Sequence, residues 1–410
     1  MVNKMISKEE LKQLMTTENG RIAFIDLTHG IDENNFQSNK TPMSIIRKMC
    51  EKTSLFDKKI LVLFNLEFLE ALVYEYKVPR ENIYVICDSI LEKTICEKLY
   101  GCYSKCIPEE VVKRKDFIYW VQEMSKRFDL CFSNPPYNRN VDLKILKELE
   151  PICDEMVVVH PSTWLLDLKG KKKLYNDFKS QIRDKAISFE LFNGNPVFGI
   201  GLFVPCVISH LNGNNNRKIK VINFGEEFEV SDIDDITKFG SDWLTIAKPF
   251  FEQMKKYCQK NGSVWDFHTF KVENDKHYCQ FATMIGNWDK SHERMFKDDF
   301  YTMVMKDPER NKGIRQPKIK GKTGSITPTF SFKTEIERDN FIGYVQTDFA
   351  RFCLSLIKNS QSTYAKELSL IPYLDFTEKW DDKKLFKHFH INQETQDYIK
   401  EFLPDYHNIR

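Results

Sequence analysis

Glycine is scarce in this sequence, with 16 glycines in 410 residues and none between Gly30 and Gly101. That absence excludes a glycine-rich ligand loop in this stretch, where the backbone could approach a bound molecule closely. Long apolar runs are also missing, since none approaches the roughly 18 residues of a membrane span. The first residues, Met1 to Lys4, lack the apolar block of a signal peptide. We therefore expect a soluble, intracellular protein with no membrane partner.

Cysteine pairing is absent as well, although the chain has eleven cysteines. They are scattered, form no CxxC pair and have no histidines at matching spacing, so we interpret them as reduced core residues and expect no metal. A metal site around Cys102 and Cys106 is the alternative. Neither sign of charge predominates. The net charge of +2 argues against a protein whose whole surface binds a polyanion, but it allows a local basic strip that binds phosphates.

The length predicts two domains, and the pattern of the first half predicts an α/β fold. Buried strands at 59–64, 82–87, 126–131 and 155–160 alternate with helices, which are predicted at 43–50, 66–76 and 141–149. Such alternation is typical of a mostly parallel sheet whose ligands bind at the carboxyl ends of its strands. Further strands are predicted at 21–27, 187–192, 203–210 and 219–224, and the sequence at 212–216 favours a hairpin-like turn between the last two.

The alternation fades near residue 225, where residues 226–235 are mostly acidic. We place the domain boundary there, which gives domains at 1–225 and 226–410. Within the second domain, residues 305–330 are basic and interleave glycine and proline. Lys318, Lys320 and Lys322 of this segment are candidate phosphate contacts, with a solvated surface loop as the alternative interpretation.

The tetrapeptide Asn134-Pro135-Pro136-Tyr137 follows a predicted strand and carries the most specific chemistry. An aromatic amine on adenine or cytosine is a poor nucleophile because its lone pair is delocalised into the ring. If the Asn134 side-chain oxygen and the Pro135 carbonyl each accept one N–H of the amine, the nitrogen becomes more tetrahedral and its lone pair can attack a methyl donor. The prolines hold the loop rigid, and Tyr137 would stack on a base rotated out of the duplex.

At these residues the chain resembles the amino-methyltransferases of restriction-modification systems and phages, in the Eco57I/TaqI-like group. The resemblance implies a Rossmann-like S-adenosylmethionine methyltransferase domain with a C-terminal hairpin in its sheet, followed by an α+β target-recognition domain. It implies transfer of a methyl group from S-adenosylmethionine to N6 of adenine in double-stranded DNA, in the cytoplasm of a bacterium or a phage-infected cell. A cognate restriction endonuclease is the expected protein partner.

The resemblance also implies roles for single residues. Thr41 and Pro42 match the element near the methionine carboxylate of the cofactor, and Asp88 matches the acid that binds the ribose hydroxyls. Asp116 and Phe117 lie where the family holds the cofactor's adenine ring. Residues 158–165 resemble the segment after the catalytic loop, and Phe198 in Asn195–Gly199 is the candidate contact to the flipped base.

The chain departs from the family in the first cofactor loop, where the expected glycines are replaced by the sequence LFNLEF at 63–68. Phe64, Asn65 and Glu67 are therefore assigned to cofactor binding by position, with Asn65 in place of the usual acid and Glu67 toward the amino group. Two alternatives follow. The chain is a DNA-binding relative without transferase activity that serves as a subunit or decoy, or it methylates another acceptor, such as cytosine N4, RNA or a protein glutamine.

Overall fold

The chain folds into two compact units in the computed structural model. The N-terminal unit comprises Met1–Leu165 and Gly170–Ile236, and the C-terminal unit comprises Leu166–Lys169 and Thr237–Arg410. The structure describes residues 13, 15–29, 40–87, 89–107, 117–137, 140–168, 172–199, 204–213, 218–268, 277–283, 302–306, 329–357 and 365–403.

A nine-stranded, mostly parallel sheet organises the N-terminal unit, as the sequence predicted for an α/β fold. Its strands are β1 (Ile60–Leu63), β2 (Ile83–Cys87), β3 (Tyr103–Cys106), β4 (Phe128–Ser133), β5 (Cys153–Pro161), β6 (Ala186–Asn193), β7 (Pro205–Asn212), β8 (Ile219–Asn223) and β9 (Glu226–Val230). Their order across the sheet is β3-β2-β1-β4-β5-β7-β6-β8-β9. Strands β1 to β5 are parallel, whereas β7 runs antiparallel to both β5 and β6.

The order of the parallel strands reverses between β1 and β4. From β1 the chain proceeds outward through β2 to β3, and then returns to β4 on the other side of β1. In a doubly wound sheet, ligands bind in the crevice outside the carboxyl ends of the strands at such a switch point. The residues that directly follow Leu63 and Ser133 are therefore the ones that this fold presents to a ligand.

Helices and turns accompany these strands. The α-helices are α1 (Glu18–His29), α2 (Met43–Cys50), α3 (Glu67–Leu69), α4 (Ile90–Ile95), α5 (Phe117–Gln122), α6 (Val141–Leu149), α7 (Lys173–Ile182) and α8 (Gly194–Phe198). Helix α3 continues as a π-helix over Glu70–Glu75. The helices predicted at 43–50 and 141–149 are confirmed. Helix α6 buries Leu143, Ile145, Leu146 and Leu149 along one side, which is the amphipathic spacing that predicted it.

The strand predicted at 21–27 is wrong, because this segment is part of helix α1. Its apolar run is compatible with either element, and a tertiary contact decides between them. The Arg21 side chain is buried, donates from Nε to Glu70 Oε2 at 2.9 Å and lies 4.0 Å from the centre of the Tyr74 ring. Helix α1 thus packs on the π-helix through Arg21, and the segment 21–27 is helical and not a strand of the sheet.

One further expectation needs correction. The sequence at 212–216 does not join neighbouring strands, because β6 lies between β7 and β8 in the sheet. The acidic run at 226–235, near which the domain boundary was expected, begins with β9, which pairs with β8 in a hairpin whose turn contains Gly225 at φ +98°. The N-terminal unit extends to Ile236.

The C-terminal unit has an α+β composition. A three-stranded antiparallel sheet of order β11-β10-β12 contains β10 (His277–Thr283), β11 (Thr302–Lys306) and β12 (Thr329–Phe332). The helices are α9 (Lys248–Asn261), α10 (Glu335–Val345), α11 (Asp348–Ile357), α12 (Asp382–His388) and α13 (Gln393–Phe402). Aromatic rings fill its core, where Phe352 packs edge-on against Phe250 with ring centroids 5.1 Å apart.

The eleven cysteines form no disulfide, and ten of them are buried, whereas Cys106 is partly exposed. The ten buried cysteines are core residues, as expected from their scattered positions. Among the helices within the described ranges, none combines the length and the apolar character that crossing a membrane requires.

Glu155 is a buried carboxylate on β5, and its environment makes the stability of the fold sensitive to acid. Burial alone would raise the pKa of Glu155, but hydrogen bonds from His210, at 2.6 Å, and from Lys58 outweigh it and lower the pKa from 4.5 to about 2. A carboxyl group whose pKa is depressed by folding stabilises the fold above its unfolded pKa, and this contribution is lost as the pH falls from about 4.5 to about 2.

We expect Glu155→Gln to lower the free energy of unfolding at pH 7 by about 1–3 kcal/mol, because two charge-assisted hydrogen bonds lose their charge. Urea unfolding between pH 7 and pH 3.5 should show the difference from wild type shrinking toward acid pH. Glu227→Gln is the matched control, since Glu227 is exposed and pairs with Lys220 at 3.1 Å on the surface. A pH-independent difference for Glu155→Gln would contradict the assignment.

Candidate functional site

Asn134 lies directly after β4, at the switch point of the sheet, and its side chain is fully buried. Its backbone N–H donates to Asn65 Oδ1 at 3.1 Å, and Asn65 lies just past the end of β1. Its Nδ2 donates to Thr41 Oγ1 at 3.0 Å. The structure therefore brings together three of the predicted site residues, from segments separated by 69 and 93 positions in the chain.

Tyr137 completes the arrangement on the other side of Asn134. Its hydroxyl donates to Asn134 Oδ1, while its ring is partly exposed. Burial of the hydroxyl raises the pKa of Tyr137 well above its usual range, and the neighbouring Cys206 and Asp142 raise this pKa further. The hydroxyl consequently stays protonated at neutral pH and donates a hydrogen bond to the amide oxygen of Asn134. Pro135 and Pro136, between the two residues, are buried.

Thr41 precedes helix α2 but does not cap it. Pro42 occupies the N-cap position, and its carbonyl accepts from the backbone N–H of Ile45 at 2.9 Å. The Thr41 side chain, 2% exposed, is thereby left free to reach Asn134.

The glycine-free loop after β1 makes a sharp turn with a bulky residue. Phe64 has φ +60°, in the left-handed region that favours glycine. Its side chain is fully buried, and its ring centroid lies 6.3 Å from that of Phe117. Asn65 and Glu67 are also buried, with Glu67 2% exposed. Thus Phe64 takes the turn conformation expected of a glycine while its ring adds to the core.

Ser133, the last residue of β4, offers a further polar group at this edge of the sheet. Its Oγ is buried and has no hydrogen-bond partner among the described residues. A buried hydroxyl without a partner costs free energy unless another molecule satisfies it. Sequence reasoning missed this residue, because a serine at the end of an apolar strand gives no signal by itself.

Phe198 ends the short helix α8 and is half-buried. The helix packs on β7 through Gly194, where an added Cβ would lie 2.7 Å from Cys206 Sγ and 3.5 Å from the Phe198 ring. Only glycine permits this approach. Since Cys206 also neighbours the Tyr137 hydroxyl, the helix that carries Phe198 lies on the Tyr137 side of the site.

A cavity of about 180 Å³ opens beside Tyr137. Its lining combines three aromatic rings with polar side chains: Tyr137, Asn140, Asp142, Leu143, Pro161, Thr163, Trp164 and Tyr175. The Tyr175 hydroxyl donates to Asn140 Oδ1 at 3.0 Å. A planar, polar heterocycle is the kind of molecule that such walls suit.

Behind the cavity lies a buried chain of polar groups that the sequence did not reveal. His160 Nε2 lies 3.1 Å from Ser209 Oγ, and its Nδ1 lies 3.4 Å from Asp142 Oδ2. These residue types resemble a hydrolase triad, but Ser209 is only 1% exposed and lies on β7 inside the sheet. The serine has no access to a substrate, so the group instead orients the His160 ring, which stacks on Trp164 at 5.4 Å.

Five of the predicted site residues fall outside the described residues: Asp88, Asp116, Lys318, Lys320 and Lys322. Their roles stay predictions. Within the described part of the N-terminal unit, the site consists of Asn134 and Tyr137 with Thr41, Asn65 and Ser133.

No known protein family and no curated protein matches the chain. Several solved structures align with part of it. A chain from a type I restriction-modification system aligns over 53% of this chain and 50% of its own length, with 13% identity and a TM-score of 0.37. The methyltransferase subunit of a type I restriction-modification system from Streptococcus thermophilus aligns over 45% and 47%, with 11% identity and a TM-score of 0.34. The type IIG restriction endonuclease BpuSI aligns over 69% and 40%, with 10% identity and a TM-score of 0.35. The chain thus spans about half the length of these proteins.

The left-handed turn at Phe64 leads to a stability prediction. Phe64→Ala should destabilise the N-terminal unit by about 3–5 kcal/mol through lost packing. Phe64→Gly should be about 1 kcal/mol more stable than Phe64→Ala, because glycine adopts a positive φ without strain. Chemical unfolding measures both variants.

Phe68 supplies the matched control, since it is equally buried but lies in helix α3. There the order should reverse, with Phe68→Gly about 0.5–1 kcal/mol less stable than Phe68→Ala. The same order at both positions would show that the turn at Phe64 is not left-handed.

Proposed function

We propose that the chain is an S-adenosylmethionine-dependent DNA methyltransferase that modifies an exocyclic amine, N6 of adenine. The observation that carries the proposal is the environment of Asn134. Its backbone N–H and its Nδ2 both donate to buried side chains, whereas Oδ1 is an acceptor on the Tyr137 side, where it accepts from the Tyr137 hydroxyl. This acceptor lies at the switch point of a parallel sheet, where ligands bind, and the substrate amine would replace the hydroxyl as its donor.

The residues at this edge of the sheet suit the methionine part of S-adenosylmethionine. That part carries an amino group and a carboxylate, which need an acceptor and donors. Glu67 and Asn65 supply acceptors, and the hydroxyl groups of Ser133 and Thr41 supply donors. Phe117, together with Asp88 and Asp116, is proposed for the adenosine part. When bound, the cofactor supplies an electrophilic methyl group on a positively charged sulfur.

The chain's own residues would activate the amine. Asn134 Oδ1 and the Pro135 carbonyl each accept one N–H, which makes the nitrogen more tetrahedral and directs its lone pair toward the methyl group. The two prolines fix these acceptors in a rigid turn. The lone pair of an amine inside a duplex is inaccessible, so the base must first rotate out of the helix.

Tyr137 and Phe198 are proposed to hold the extruded base, and a cavity opens beside Tyr137. Lys318, Lys320 and Lys322 are proposed to contact DNA phosphates, and residues 226–410 to carry target recognition. A cognate restriction endonuclease is the proposed protein partner.

A second candidate function is a DNA-binding relative that does not transfer methyl groups. The complete burial of Phe64, Asn65 and Phe68 favours it, because these side chains leave no surface for a cofactor without movement. Calorimetry with S-adenosylmethionine, with and without DNA, separates the two. Binding supports the transferase, and its absence in both conditions supports the inert relative.

Asn134→Ala tests the acceptor role. We expect methyl transfer to duplex DNA to fall by about 10²–10³-fold, the usual effect of removing one transition-state hydrogen bond, while the Kd for DNA stays unchanged. Transfer is measured with radiolabelled S-adenosylmethionine. Asn261→Ala, at an exposed position in α9, is the control for an asparagine substitution away from the site. Near-normal turnover of Asn134→Ala would refute the proposal.

Tyr137 gives a second test, because its hydroxyl covers the oxygen that the amine needs. Tyr137→Phe keeps the ring and removes the donor, so transfer should be retained or rise by about 2–10-fold, equivalent to one hydrogen bond. Tyr137→Ala should lose about 5–150-fold, because base stacking is lost. If Tyr137→Phe is as defective as Tyr137→Ala, the hydroxyl has a direct role in the reaction and does not simply cover Asn134.

A further inference from the structure

We infer that Thr41 is a positioning residue for Asn134, with Asn65 as its partner in that task. This inference rests on the proposed function, because it concerns how the amide is aimed at the substrate. The observation is a buried network: Asn134 Nδ2 donates to Thr41 Oγ1 at 3.0 Å, and the Asn134 backbone N–H donates to Asn65 Oδ1 at 3.1 Å. The Thr41 side chain is 2% exposed, and those of Asn65 and Asn134 are fully buried.

An asparagine amide has two ends of similar shape and opposite hydrogen-bonding character. If the amide of Asn134 were rotated by half a turn, its NH2 group would face the substrate amine, and two donors would repel each other. The Thr41 hydroxyl accepts from Nδ2, on the side away from Tyr137. When its own hydrogen is donated to a cofactor carboxylate, the hydroxyl can only accept from Asn134, which keeps Oδ1 on the side where the substrate enters.

Asn65 fixes the backbone in the same way as Thr41 fixes the side chain. Its Oδ1 ties the first peptide after β4 to the first residues after β1. The loop is thus held at its start, upstream of Pro135 and Pro136, whose own nitrogens carry no hydrogen to donate. Since a misplacement of about 1 Å can cost about 10²-fold in rate, holding the acceptor through these two buried contacts matters for turnover.

Positioning Asn134 is a different role for Thr41 from the contact with the cofactor's methionine carboxylate that the family resemblance implied. A hydroxyl group has one hydrogen to donate and two lone pairs, so Thr41 is able to accept from Asn134 and donate to a cofactor carboxylate at the same time. The two roles have different kinetic signatures. Loss of a cofactor contact raises the Kd for S-adenosylmethionine, whereas loss of positioning lowers kcat even at saturating cofactor.

Thr41→Val and Thr41→Ser form the test pair. Valine keeps the shape and removes the hydroxyl, and serine keeps the hydroxyl. At saturating S-adenosylmethionine with duplex DNA, we expect kcat of Thr41→Val to fall by about tenfold or more and that of Thr41→Ser to stay within about threefold of wild type. A kcat of Thr41→Val that recovers fully at saturating cofactor would overturn the inference and leave Thr41 as a cofactor contact only.

Asn65→Leu and Asn65→Asp repeat the comparison at the second contact. Aspartate retains an acceptor for the Asn134 N–H, whereas leucine does not, so kcat should fall in Asn65→Leu and be largely restored in Asn65→Asp. Thermal unfolding of each variant establishes that it is folded. Thr41→Ala replaces Thr41→Val if the latter does not fold.

A readout without turnover separates this inference from the proposed function. The side-chain NH2 signals of Asn134 are assigned by NMR from their loss in Asn134→Ala, and their hydrogen exchange is measured. Exchange should be slow in wild type and Thr41→Ser and fast in Thr41→Val. If wild type transfers no methyl group but shows this pattern, the proposed function fails and the positioning contact stands. Equal exchange in all three proteins overturns the positioning contact.

Discussion

The hydrogen bonds around Asn134 are the constraint on which the site depends. They join the ends of β1 and β4, the two strands between which the order of the sheet reverses, and add Thr41 from the segment before helix α2. A single buried amide thereby connects three segments that are distant in sequence. Because the backbone N–H and Nδ2 of Asn134 both donate within the protein, we propose that its chemistry toward a ligand is that of an acceptor.

The loop after β1 forms its sharp turn without the glycines expected there. The turn needs a residue in the left-handed region, and Phe64 adopts it at φ +60°. The strain is offset by burial, since the Phe64 ring is fully enclosed and lies near Phe117. A glycine would have left the backbone open to a ligand. With phenylalanine in the turn, the side chains of Asn65, Glu67 and Ser133 are the groups that we propose for cofactor recognition.

Local sequence patterns predicted the parallel strands, helix α6 and the position of Asn134 after β4, because each depends on residues close together in the chain. The segment 21–27 was predicted wrongly, since its helix is decided by the contact of Arg21 with Glu70, 49 residues away. The prediction that 212–216 joins neighbouring strands was wrong for a similar reason, because the order of strands in a sheet does not depend on local sequence. The contact of Thr41 with Asn134 spans 93 residues and has no sequence signature.

The most direct measurement is a map of modified bases in a host without DNA methylation of its own. The protein is expressed in such a host, and the host DNA is read by single-molecule sequencing. We predict N6-methyladenine at one recurring sequence, and unmodified DNA from cells that express Asn134→Ala. Methylation of cytosine N4 would correct the base and keep the acceptor chemistry. DNA without any modified amine, from cells with folded wild-type protein, would refute methyl transfer by this chain.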